Sequence, residues 1–373
     1  MYTFHIRFRL CIDHPILTKT IDFRLINSKM VSMNPRRSKT TINNSINDQN
    51  DVLKIVVTDG ATELALAFLS RILYDKVFGE HQLVFISIFD FKDKALFLEP
   101  VAIELTSFSP SNLHGINHGH NPSVQFKDAD VVICIGLARE YEFTEDEYTD
   151  PFFKDYILIS KFYGQAIENY AKRDAKIIVI GNIAATIISK YVKSIPSTNI
   201  TAISMFNLTI TKACIAARAK CLPTEVKNVI IWGTNNKFNF SDCRYMFFTD
   251  GRSTHNNFKV WLRNTLPQLL QNISNRPYCV RSMAYGLAEH CKILWNDTPE
   301  NEWTCMSVAS DYSYDIRSDI FFSFPVICKN RNYEIVQDLV NDEYIQKYIH
   351  KLSKFIAREV HVALKICGLR KHG

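Results

Sequence analysis

From residue 53 onward the chain alternates short, continuous apolar runs with longer stretches whose apolar residues recur every three or four positions. Residues 53–58 (LKIVVT) predict a buried strand, and 63–77, with Leu64, Ala67, Phe68, Ile72 and Leu73 at helical spacing, predict a helix. Residues 82–89 form a second predicted strand, closed by Asp90, and 93–105 read as helix. A strand at 131–136, a helix at 156–172 and a strand at 176–181 continue the alternation. Such alternation implies right-handed crossovers and therefore an α/β fold with a doubly wound parallel sheet. Beyond about residue 200 the order loosens into long helices at 208–220, 257–271, 280–296 and 342–366, separated by strand-like runs, which suits an α+β domain. The expected division is an extension and linker over 1–51, a Rossmann-type domain over 52–200 and an α+β domain over 201–373.

The first fifty residues follow neither period. Residues 28–51 are polar and rich in Asn, Ser and Thr, and are read as a disordered linker. Ahead of them Arg residues alternate with Phe4, Ile6, Phe8 and Leu10, a strand-like pattern. Of the net charge of +6, residues 1–50 carry +5 (eight Lys/Arg against three Asp), which leaves +1 for the body. A nearly neutral body argues against a nucleic-acid surface, and the basic run Arg36-Arg37-Ser38-Lys39 reads as part of a solvated linker. A hydrophobic share of 47% and a charged share of 22% are those of a globular protein whose core needs no staples. The ten cysteines contain no CxxC pair, so neither a zinc site nor a redox couple is signalled, and a reducing, cytoplasmic setting is expected. The longest apolar runs, such as 131–138, are too short to span a bilayer.

The first strand–turn–helix has the layout that holds a dinucleotide: a tight turn, a helix N-terminus to receive the diphosphate, and an acid at the end of the next strand. Here the turn is Thr58-Asp59-Gly60-Ala61-Thr62-Glu63. Gly60 is its one glycine, and Asp90 is placed to accept from a ribose diol or to cap the following turn. Asp59 and Glu63 put two carboxylates where a diphosphate would lie. His114, His118 and His120 raise the question of a metal, but they sit in a Gly- and Asn-rich stretch read as a surface loop, so no metal is expected. His290, beside Glu289, reads as a partly exposed helical histidine.

Six fragments give the chain a more specific likeness: VFGEHQ (77–82), FKDAD (126–130), KIIVIGN (176–182), VKNVIIWG (226–233), TPENEW (298–303) and SFPV (323–326). In this order and spacing the sequence resembles the malate/lactate dehydrogenase superfamily, specifically cytosolic malate dehydrogenase, and its departures look like the divergent malate dehydrogenase 1B group. The resemblance implies NAD as cofactor, exchange between malate and oxaloacetate, and a two-fold dimer. It also implies a histidine–aspartate pair for proton transfer and arginines that clamp a dicarboxylate.

The matching positions here hold other residues. The histidine position is Asn235, the aspartate position Asn207, and an arginine position Ile210. The loop expected to carry two further arginines, LAREYEFTEDEYTDPF (137–152), has Arg139 alone against six acids. Asn182 matches the family's substrate-binding asparagine, although the proline that normally follows is Ile183. Two amide-bearing cofactor contacts fall at Tyr156 and Tyr163. The expectation is a malate dehydrogenase-like pseudoenzyme serving interaction with an unidentified protein partner or sensing. The alternatives are an active NAD-dependent malate dehydrogenase with recruited residues, or an oxidoreductase on an uncharged 2-hydroxy or 2-oxo compound.

Overall fold

The structure is a computed structural model that describes residues 52–107, 110–136, 151–234, 239–274, 279–340 and 342–369. The extension 1–51 lies outside these residues. The first half supplies β1 (Leu53–Val57), α1 (Glu63–Tyr74), β2 (Val84–Phe89), α2 (Leu98–Ser107), β3 (Leu113–Gly119), β4 (Val131–Cys134), α3 (Pro151–Tyr170), β5 (Lys176–Val179), α4 (Asn182–Tyr191) and β6 (Ile200–Ile203). Its six strands are parallel and lie in the order β3-β2-β1-β4-β5-β6. That is the doubly wound order in which ligands bind outside the carboxyl ends, where the winding reverses between β1 and β4. Both faces are covered, so β1 and β4 are almost wholly buried, which their unbroken apolar runs require.

The second half supplies α5 (Met205–Ala219), β7 (Val226–Lys227), β8 (Ile230–Gly233), β9 (Asn239–Asp242), β10 (Phe247–Phe248), α6 (Asn256–Asn264), α7 (Leu266–Ser274) and α8 (Val280–Asn296). It ends with β11 (Thr304–Ala309), β12 (Phe321–Lys329), β13 (Asn332–Ile335) and α9 (Glu343–Ile366). The parallel sheet continues antiparallel through β11, β12, β8 and β9, with β13 on β12, giving eleven strands among the described residues. β7 and β10 form a separate two-stranded ribbon. β6 begins at residue 200 and pairs on one side with β5 and on the other with β11. Residues Asn50–Gly373 form one compact unit.

Helix positions follow from caps and close approaches. Thr62 caps α1 by accepting from the Ala65 amide at 3.2 Å, and Leu64, Phe68, Leu69, Ile72 and Leu73 form its buried face. α8 crosses α5 at Gly286, where a Cβ would stand 2.9 Å from the Phe206 nitrogen. α3 crosses α4 at Gly164 in the same way, with a Cβ 2.9 Å from that of Tyr191.

Several readings of the sequence change. The histidine-bearing stretch is strand β3, not a surface loop. Leu113 and Ile116 pack on the core, and Gly115 lets the Phe85 ring lie against the backbone. The stretch 257–271 is two helices, because Pro267, one residue into α7, has no N–H to continue α6. His290 is fully buried: its Nε2 lies 2.8 Å from Thr201 Oγ1 across the α8–β6 contact, and Nδ1 has no partner among the described residues. Burial lowers its pKa from 6.5 to about 3.

Candidate nucleotide cleft

At the carboxyl ends of β1 and β4 lies a cleft of about 920 Å³. Asp59 and Thr62 of the turn after β1, the N-terminus of α1, Gly136 and one face of α3 line it. Asp59 stands at the centre of the loop with φ +54°, a left-handed conformation that Asp tolerates better than most residues. The residue is 2% exposed. Three donors converge on Oδ2: the Thr58 hydroxyl at 2.6 Å, the Gly136 amide at 2.8 Å and the Tyr163 hydroxyl at 2.9 Å. Burial raises the Asp59 pKa, the Thr58 and Tyr163 hydroxyls oppose that rise, and nearby Asp90 adds to it. Burial, together with the Asp59 charge, also holds the Tyr163 phenol protonated well above its usual range.

Three amides of the loop already have acceptors within the protein. Gly60 N–H donates to the Phe89 carbonyl, Ala61 N–H to Asp90 Oδ2 and Thr62 N–H to the Asp59 carbonyl, each at 3.0 Å. Gly60 is fixed by packing, since a Cβ there would overlap the Ile88 side chain. Asp90 is fully buried, and its Oδ1 accepts from the Phe91 amide at 2.8 Å, so both its oxygens hold backbone.

On the substrate side, α4 begins at Asn182 after Gly181, whose φ of +108° requires a glycine. The Tyr156 hydroxyl fills the space a Cβ would take at Gly181 and accepts from the Ala184 amide at 3.3 Å. The Asn182 amide nitrogen faces the Gly233 carbonyl (3.1 Å), Ser307 Oγ (2.6 Å) and the Phe321 carbonyl (3.1 Å), whereas its Oδ1 is buried without a partner among the described residues. Asn182 thus ties α4 to β8, β11 and β12. Asn207, 8% exposed on α5, donates to the Thr234 carbonyl at 3.4 Å. Ile210 packs against the core. Asn235 and Arg139 lie outside the described residues.

The structure brings Asp59 and Tyr163 together, although they are 104 residues apart. Each is visible in the sequence as a misfit in a cofactor site, but nothing local indicates that they pair. Glu359, 1% exposed on α9, acts electrostatically on Tyr156 and carried no sequence signal. Among the described residues no group of three or more His, Cys, Asp or Glu could hold a metal ion, and no helix is long and apolar enough to cross a membrane.

A six-stranded parallel sheet with a cleft at its winding reversal, extended by an antiparallel sheet and long helices, defines the malate/lactate dehydrogenase fold. Solved structures agree. Malate dehydrogenase from Naegleria fowleri superposes with a TM-score of 0.77 at 23% identity, covering 84% of this chain and 98% of that one. Trichomonas vaginalis lactate dehydrogenase in complex with NADH and oxamate gives 0.75 at 18%, covering 85% and 99%. Residues 276–362 match the family described as lactate/malate dehydrogenase, alpha/beta C-terminal domain. Cytoplasmic malate dehydrogenase of Taenia solium is 31% identical over 308 residues, 78% of this chain and 92% of that protein. The Homo sapiens cytoplasmic enzyme is 27% identical over 331 residues, 85% and 98%. The chain belongs to the malate/lactate dehydrogenase superfamily and is of the cytosolic malate dehydrogenase type.

Proposed function

We propose that this chain is a catalytically silent malate dehydrogenase-like protein, a folded scaffold kept for binding a small molecule or a protein partner rather than for hydride exchange between malate and oxaloacetate. The observation that carries this reading is the Asp59 carboxylate, buried in the turn where a dinucleotide-binding fold rests the diphosphate on free backbone amides. Two unit charges about 4 Å apart repel by about 4 kcal/mol at an effective dielectric of 20, roughly three decades of affinity. Protonating Asp59 instead transfers that cost to the proton. The loop amides of Gly60, Ala61 and Thr62 are engaged internally, and so are both Asp90 oxygens, so the residues present do not fit NAD well.

The substrate side supports the same reading. Asn182 spends its donors on the sheet, Ile210 brings no charge for a carboxylate, and Asn235 and Asn207 cannot titrate near neutral pH. A two-fold dimer in the cytoplasm belongs to this proposal, in keeping with relatives that carry the name cytoplasmic.

The test is oxaloacetate-dependent oxidation of NADH by the purified full chain. Loss of a proton-transfer residue alone lowers rates by about 10²–10⁴. We expect no turnover above background, and a kcat in the ordinary range of about 1–10³ per second would contradict the proposal.

A further inference from the structure

We propose that the cleft beside Asp59 binds a small, flat, cationic hydrogen-bond donor of the amidine or aromatic amine class. This rests on the preceding reading, that the cleft no longer serves a dinucleotide. Among the described residues the three donors to the Asp59 side chain all meet at Oδ2, and Asp59 lines the cleft, which leaves Oδ1 as the acceptor for a ligand. A buried carboxylate with a vacant acceptor calls for an N–H, and a charged N–H stabilises its ionised form by a charge-assisted hydrogen bond.

The remaining charges favour the same sign. Among the described residues Asp59, Glu63 and Asp155 line the cleft against one ammonium, Lys94, three carboxyls to one cation. The body of the ligand is set by the walls. Phe91 stands on the β2 side, and Leu158, Ile159 and Phe162 extend from α3, with Asp155 on the same helical face. The rings of Phe91 and Phe162 are 5.3 Å apart, centroid to centroid. Aromatic faces accept a cation as readily as an apolar plane. The volume of about 920 Å³ lies within the roughly 300–1,000 Å³ of small-molecule sites.

Benzamidine and benzoate share a shape and carry opposite charge, so they separate this site from a general apolar cleft. In calorimetric titrations of the full chain near neutral pH, benzamidine should bind saturably and at least tenfold more tightly than benzoate. Asp59→Asn should weaken benzamidine at least tenfold. Leu158→Lys, a change at a partly exposed wall residue that places a second cation in the cleft, should weaken it at least fivefold. It serves as the variant of record if Asp59→Asn does not fold. The proposal is overturned if benzamidine fails to bind, if benzoate binds as well, or if a folded variant leaves benzamidine affinity unchanged. Oxaloacetate turnover would instead overturn the preceding reading, so the two failures are read in different experiments.

Discussion

Asp59 and His290 are both buried titratable groups, and acid acts on them in opposite directions. The folded pKa of Asp59 is raised, so between 3.8 and that raised value the native state holds the proton that the unfolded chain releases. Stability therefore falls as pH rises through this window and stays reduced above it. We expect the melting temperature of Asp59→Asn relative to the native chain to increase from acid to neutral pH, and a pH-independent difference would count against a buried ionisable Asp59. His290 is depressed from 6.5 to about 3, so below 6.5 the unfolded chain takes up a proton that the native state refuses. Stability is lost as pH falls through that interval, by up to about 5 kcal/mol at 1.36 kcal/mol per unit. His290→Gln should flatten the acid limb of a stability–pH curve; an unchanged slope would mean that His290 is solvated. In the sequence the helical spacing around His290 gave its helix but not its burial, because burial is set by Thr201 on a strand 89 residues away.

The elements most legible in the sequence were those whose period was strong. β1, β4 and α8 lie where unbroken apolar runs or helical spacing put them, and α9 repeats buried Ile345, Ile349, Leu352 and Ile356 along one face. β3 was hidden because an edge strand paired on one side needs few apolar residues, and its His, Gly and Asn content imitates a loop. Close helix crossings were equally hidden, since a glycine in a helix reads only as a weak point. Gly286 is the clearest case, its Cα facing the Phe206 backbone nitrogen with no room for a Cβ. Gly286→Leu should lower stability by about 1–3 kcal/mol or more through overpacking, with a smaller loss for Gly286→Ala. Equal melting temperatures for all three would show that α8 and α5 are not in close contact.

Across the whole molecule one sheet carries both halves, and Asn182 sits where they meet. Its amide links Gly233 and Phe321, at the end of β8 and the start of β12, to the first turn of α4. Asn182→Ala leaves those buried carbonyls without their donor and should cost about 1–3 kcal/mol of global stability, measured by denaturant unfolding. A negligible change would show that the amide is free for a ligand. The family and fold were readable from six ordered fragments because those fragments build strands and turns of the framework, such as β5, β8 and β12. The use made of the site was not, because it depends on which groups hydrogen-bond across the cleft, and Asp59, Gly136 and Tyr163 come from three separate elements. On the proposed function, the Asp59 carboxylate stands where a diphosphate would lie. A calorimetric titration of the full chain with NADH at neutral pH decides this. We expect no saturable binding below about 1 mM, and a micromolar dissociation constant would contradict the account.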